Sequence, residues 1–437
     1  MSILQTSLKS LNLSSIVILL WFFYSLNIYP GENGYLLLYM AYTVLFFLGG
    51  DIVKKILSGH RLIFKEDFLL LGILCFLLLL SLVSVFNSDY KFDSLKRVVV
   101  VFFPVFLVSL HLCVSPVNYI YKSTNILMSI ILMVTVGLVI VSCCLYFFGA
   151  YLYLEGVGPV QEITVFGVKI GQKAMGYMPF LRVSSFTGNP NTLGMLISIS
   201  LIIAVYFKEI NFFKKREWGY YFIFIVLFLG LLLTISRGAF VSLFFGFSVY
   251  FLVRGRSLGN NSRNKYLVLL LCLVFFIFVI YSFYSSYFIG SYELGRRLTM
   301  DLSGRNEVWS ILFSHFKDTY LLGAGFGVSG DLLKAAGSIN DSPHNSHLHI
   351  LVELGVLGYL SFFLLLAIYI YKTLRFVLVV ESKKAALYSL VTLSIVLMIL
   401  VNQFVESSIL RGVFLNFFLF YMLFSGITKC DHKKTWV

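Results

Sequence analysis

Apolar runs of membrane-spanning length recur along almost the whole chain, and no other feature of the sequence constrains its fold as much. A helix needs about 20 apolar residues to cross the hydrocarbon core. Such runs lie at about 14–30, 34–50, 67–86, 98–114, 124–148, 191–207, 218–235, 239–253, 266–288, 348–371, 385–402 and 409–426. Within lipid every backbone N–H and C=O must find a partner inside the protein, so runs of this length form helices. Only 12% of the 437 residues are charged and 59% are hydrophobic, whereas soluble domains carry about 25% charged residues. A soluble enzyme, a disordered chain and a nucleic-acid-binding module on a basic surface are thereby excluded. The expected fold class is all-α: one polytopic membrane domain over 1–437 with about twelve transmembrane helices. Two long loops interrupt it, at about 149–190 and 289–347, the larger between helices 9 and 10.

Charge orients the bundle. The formal net charge is +14, and Lys and Arg favour the cytoplasmic side of a membrane protein. With a cytoplasmic N-terminus, dense basic clusters fall inside, among them Lys54, Lys55, Arg61 and Lys65, then Lys208, Lys214, Lys215 and Arg216, and 21 of the 34 basic residues lie there in all. Both termini are then expected in the cytoplasm and both long loops outside. The first apolar run leads into further spans without a small-residue cleavage site, so it is expected to be a span rather than a removed signal. Of the six cysteines, Cys75, Cys113, Cys143, Cys144 and Cys272 lie in apolar runs and Cys430 near the end. They form neither a disulfide framework nor a C-x-x-C site.

The basic residues left outside are informative, because the topology rule disfavours them there. Arg182, Arg237, Arg296, Arg297, Arg305 and Arg411 sit at helix ends or in the long loops. A guanidinium donates in parallel pairs and suits a phosphate, although lipid headgroups or neighbouring carboxylates would also satisfy each one.

Four segments carry chemistry. Arg182 precedes the turn Gly188-Asn189-Pro190, after which Asn191 or Thr192 is placed to cap the next span; an ordinary capped turn accounts for the same residues. Ser236-Arg237-Gly238 is almost all that separates two apolar runs, which holds Arg237 at the outer interface, where it either snorkels or binds. In the large loop, Ser303 is placed to cap a short helix with Val308, Trp309, Leu312 and Phe316 on its apolar side. A glycine-rich Gly323-Ala324-Gly325-Phe326-Gly327 follows, with no Lys-Ser/Thr of a phosphate loop. Finally His344, His347 and His349 cluster at the mouth of an apolar helix, and histidine is the natural proton carrier near neutral pH. No H-E-x-x-H or D-x-D accompanies them, so no metal is expected.

In order, the chain shows Arg182 then Gly188-Asn189-Pro190-Asn191-x-Leu193-Gly194, Ser236-Arg237-Gly238, and Gly304-Arg305-x-x-x-Trp309. Gly323-x-Gly325-Phe326-Gly327 comes next, and Pro343-His344-Asn345-Ser346-His347-Leu348 runs on through Glu353-Leu354-Gly355 to Gly358. This set resembles the O-antigen ligase/polymerase superfamily, which takes in O-antigen ligases, Wzy-type polymerases and protein O-oligosaccharyltransferases. The resemblance implies a GT-C-like glycosyltransferase of the bacterial inner membrane that works at the periplasmic face without metal or cofactor. Its donor would be a glycan on undecaprenyl diphosphate, and its partners that lipid-linked oligosaccharide, membrane lipids and a chain-length regulator protein. Carried over to this sequence, Arg182 and Arg237 match the diphosphate-binding arginines, with Arg305 held more loosely. His344 matches the loop histidine that activates or orients the acceptor hydroxyl, and His347 is a second candidate. The form of the turn and of the histidine motif favours an O-antigen polymerase over a ligase acting on lipid A–core. A flippase for the same lipids is disfavoured by the absence of an internal repeat and by charges at the outer ends rather than mid-membrane.

Overall fold

The computed structural model describes residues 11–26, 33–58, 65–154, 158–165, 168–175, 182–213, 217–257, 305–338, 342–404, 406, 409 and 414–427. Its elements are α1 (Leu13–Ser25), α2 (Asn33–Leu57), α3 (Lys65–Phe86), α4 (Lys91–Arg97), a π turn (Val98–Phe102), α5 (Phe103–Val114) and α6 (Val117–Phe148). Strands β1 (Ala150–Leu154), β2 (Gly158–Val165), β3 (Val168–Met175) and β4 (Arg182–Val183) follow. Then come α7 (Pro190–Glu209), α8 (Glu217–Thr234), α9 (Arg237–Ser257), α10 (Arg305–Thr319), α11 (Ser329–Ala335), α12 (Ser346–Val379), α13 (Lys383–Asn402) and α14 (Phe414–Ile427).

The chain is an all-α polytopic membrane protein. Among the described residues, eight helical segments are long and apolar enough to cross a membrane, with shorter apolar helices at Leu13–Ser25 and Phe414–Gly426. Eleven of the expected spans coincide with described helices; the run at 266–288, with Arg296, Arg297 and Arg411, lies outside the described residues. Helices α7 and α13 are the most enclosed, packing with α9 and against each other at the centre. Phe46, Phe86, Phe148 and Trp218 point outward, which in lipid carries no hydrophobic penalty.

One span begins earlier than its apolar run. Pro104 has no N–H to give to the carbonyl four residues back, and its ring crowds that carbonyl. The preceding turn widens into the π turn Val98–Phe102, a common form of bulge, and the Tyr42 hydroxyl donates to the freed Val100 carbonyl at 3.3 Å.

The loop at 149–190 is more ordered than its sequence announces. It folds into an antiparallel sheet in the order β1-β2-β3-β4, with Ile163 opposite Ile170 and Met175 opposite Arg182. Gln172 Nε2 donates to Gln161 Oε1 at 2.9 Å and to the Ser142 carbonyl of α6 at 3.4 Å. The sheet is thereby moored to the bundle, at the end where β4 presents Arg182.

The opposite end is tied by polar contacts of its own. Tyr421 Oη lies 2.7 Å from Ser15 Oγ and 3.1 Å from Thr124 Oγ1. Arg254 Nε donates to Glu209 Oε2 at 2.7 Å between the ends of α9 and α7.

Candidate active site

The start of α7 determines where the first motif points. Asn189 is extended and its side chain accepts from the Asn191 N–H at 2.8 Å, with Pro190 in the first helical turn. A proline there loses no helical hydrogen bond, because its missing N–H would have had no partner. The cap is therefore Asn189, not Asn191 or Thr192 as the sequence suggested. Asn191 is left with its side-chain amide free to serve elsewhere.

That amide meets Arg182. Arg182 Nη2 donates to Asn191 Oδ1 at 2.7 Å, and Arg182 Nε donates to the Thr234 carbonyl at 2.9 Å. Burial is the main influence holding the Arg182 guanidinium below its ordinary pKa; the charge of Arg237 adds to it and Glu406 opposes it. The two arginines thus share one electrostatic neighbourhood. Arg182 is half-buried and Arg237 exposed.

Ser236-Arg237-Gly238 reaches this neighbourhood through a tight turn. Ile235 adopts a left-handed backbone with φ 48°, a strained state for a β-branched residue. The turn presses on α7 at Gly194, where a Cβ would lie 2.9 Å from Ser236 Cβ and 3.0 Å from Ala239 Cβ. Glycine at 194 is what lets the two motifs approach. Ser236 Oγ then donates to Asn191 Oδ1 at 3.1 Å.

The histidine segment arrives from the other side. His344 has φ 48° and is half-buried just before α12. Trp309 Nε1 of α10 donates to the Pro343 carbonyl at 2.9 Å, so the tryptophan of the Arg305 motif fixes the backbone beside His344. Asn345 caps α12, accepting from the N–H groups of His347 and Leu348 at 2.9 and 3.1 Å. The Ser346 N–H donates to the Gln403 and Glu406 carbonyls at 3.0 and 3.1 Å. Glu406 Oε1 in turn accepts from Asn191 Nδ2 at 2.5 Å. One hydrogen-bonded path therefore joins Arg182, Asn191, Glu406 and Ser346.

The other expected residues have different surroundings. His347 is buried, its ring 4.2 Å from that of Phe404 and 5.8 Å from that of Phe363 between centroids. Arg305 opens α10, but its side chain lies outside the described residues, as does Ser303. Among the described residues no group of three His, Cys, Asp or Glu side chains is arranged to hold a metal.

The glycine-rich segment is organised by a motif residue to which the sequence assigned no task. Glu353 is 1% exposed. Its Oε1 accepts from the Ser329 N–H at 3.0 Å and Ser329 Oγ at 2.7 Å, and its Oε2 from the Gly327 N–H at 2.6 Å. His349 Nε2 lies 2.6 Å from Glu353 Oε1. Two residues on, Gly355 breaks the helix at φ 67° and ψ −172°, and the loop docks there: the Val356 N–H donates to the Tyr320 carbonyl at 2.8 Å and the Ala324 N–H to the Val352 carbonyl at 2.9 Å. The signal in the sequence was a carboxylate in an apolar run, four residues after a histidine.

These features define a polytopic α-helical membrane protein with an arginine-bearing polar cluster at one end of its bundle. The family model described as O-antigen ligase matches residues 222–363, a stretch that contains Arg237, Arg305, the glycine-rich loop and all three clustered histidines. Over that stretch, about a third of the chain, the sequence is similar to the O-antigen ligase family. No curated protein matches the chain.

Proposed function

We propose that the protein is an O-antigen polymerase of the bacterial inner membrane, joining undecaprenyl-diphosphate-linked repeat units at the periplasmic face without metal. In this reaction the bond from the anomeric carbon to the diphosphate breaks while the acceptor oxygen bonds the same carbon. The acceptor proton passes to a base and the electron pair leaves with the diphosphate. Arg182 and Arg237 stabilise that developing negative charge, as fixed cationic donors do most strongly where water is partly excluded. Arg305 is a further diphosphate-binding candidate. His344 takes or directs the acceptor proton, a role that requires an imidazole within hydrogen-bond reach of the hydroxyl. His347 is the weaker candidate, because it lies packed among aromatic rings. The observation that carries this reading is the hydrogen-bonded path from Arg182 through Asn191 and Glu406 to Ser346, two residues from His344.

A ligase is the second reading, favoured by the description of the matching family model. Purified protein given one defined lipid-linked repeat unit, with chelator and with or without lipid A–core, separates the two. A ladder of lengthened lipid-linked products supports the polymerase. Transfer to core alone supports the ligase, and no transfer to either acceptor overturns both.

A further inference from the structure

Asn191 joins Arg182, the Ser236 turn and Glu406. Its Oδ1 accepts from Arg182 Nη2 at 2.7 Å and from Ser236 Oγ, beside Arg237, at 3.1 Å. Its Nδ2 donates to Glu406 Oε1 at 2.5 Å, and the Glu406 carbonyl accepts from the Ser346 N–H. The amide orientation is fixed by these partners: the oxygen faces two donors, and the nitrogen faces a carboxylate that only accepts when ionised. We propose that Asn191 is a positioning residue for glycosyl transfer, setting the placement of the two guanidinium groups relative to the His344 turn. This rests on the glycosyl-transfer reading above.

Asparagine is the side chain suited to this place. Leucine or alanine would leave Glu406 and Arg182 without a shared partner. Aspartate would still accept from Arg182 and Ser236, but it would set a second carboxylate against Glu406 with no proton between them. Near-attack geometry is sensitive to displacements of about 1 Å, so loss of the bridge is expected in the chemical step more than in binding.

The decisive experiment compares wild type, Asn191→Asp, and Asn191→Asp with Glu406→Gln, as purified full-length protein acting on a defined lipid-linked repeat unit. In the double variant the new glutamine amide donates to the new carboxylate, so the bridge is rebuilt in the reverse direction with the total charge unchanged. Asn191→Asp is expected to lower kcat by about tenfold or more with a smaller change in KM, and the double variant to recover a substantial part of that loss. Melting temperatures in detergent identify a variant that has lost its fold. Should Asn191→Asp unfold, Asn191→Gln, which keeps both amide functions one methylene further out, takes its place and is expected to lower kcat likewise. A folded single variant with wild-type kcat, or a folded double variant no better than Asn191→Asp, overturns the inference. A wild-type protein that transfers no glycan overturns the functional reading itself, and this inference with it.

Discussion

Arg97 donates to Asp331 Oδ2 at 2.7 Å, joining α4 to α11 across 234 positions of sequence. Arg97 Nη1 also donates to the Gly327 carbonyl, so one guanidinium clasps the far side of the glycine-rich loop that Glu353 holds from beneath. With side chains 36% and 22% exposed, the ion pair itself contributes only about 0.2–1 kcal/mol. Asp331→Ala is therefore expected to leave the melting temperature almost unchanged. Arg97→Ala removes the carbonyl contact as well, and is expected to speed limited proteolysis within 305–338 well beyond what Asp331→Ala does.

Glu353→Ala should be far more damaging. It strips an acceptor from the Gly327 and Ser329 N–H groups and leaves buried His349 without its carboxylate. Each buried N–H or O–H donor left unsatisfied costs about 1–3 kcal/mol. A large fall in melting temperature and in folded yield is expected in detergent, with Glu353→Gln intermediate because an amide oxygen accepts only part of the network.

The two histidines separate cleanly by environment. His347→Phe keeps a ring against Phe404 and Phe363, so transfer activity within a few-fold of wild type is expected. His344→Ala is expected to abolish most activity at normal protein level, since general acid–base catalysis contributes about 10²–10⁴-fold. Ladder formation by the two variants on the same lipid-linked unit checks both.

Arg182→Lys preserves charge but not the fork. A single ammonium cannot reproduce donation to both the Thr234 carbonyl and Asn191 Oδ1, and a loss of about tenfold or more in kcat/KM is expected. The lowered pKa of Arg182 would remove its charge only as pH rises through the folded value. A guanidinium ordinarily keeps its proton far above neutral pH, so activity measured from about pH 6 to 9 should show no step from Arg182.

Much of the architecture was legible because the apolar runs state it directly: α3, α7 and α13 fall where their hydropathy places them. Local chemistry was less so. The cap moved from Asn191 to Asn189 because Pro190 sits better one residue into the helix, and only the fold shows what the released amide binds. The sheet of β1 to β4 was missed since it leans on α6 through Gln172 and the Ser142 carbonyl, a long-range contact that no local pattern reports. Glu406 lay unremarked between two spans, because its partner Asn191 is 215 residues away. Glu353 was quoted within a motif and left without a task, since a carboxylate's worth depends on the N–H groups that converge on it.

The break at Gly355 changes how α12 meets the bilayer. Its first turns are fastened to the backbone of the glycine-rich loop, and an uninterrupted helix runs only from Val356 to Val379. Those 24 residues extend about 36 Å at 1.5 Å each, enough to traverse the acyl region unaided. Glu353 and His349 therefore need never enter the oily slab.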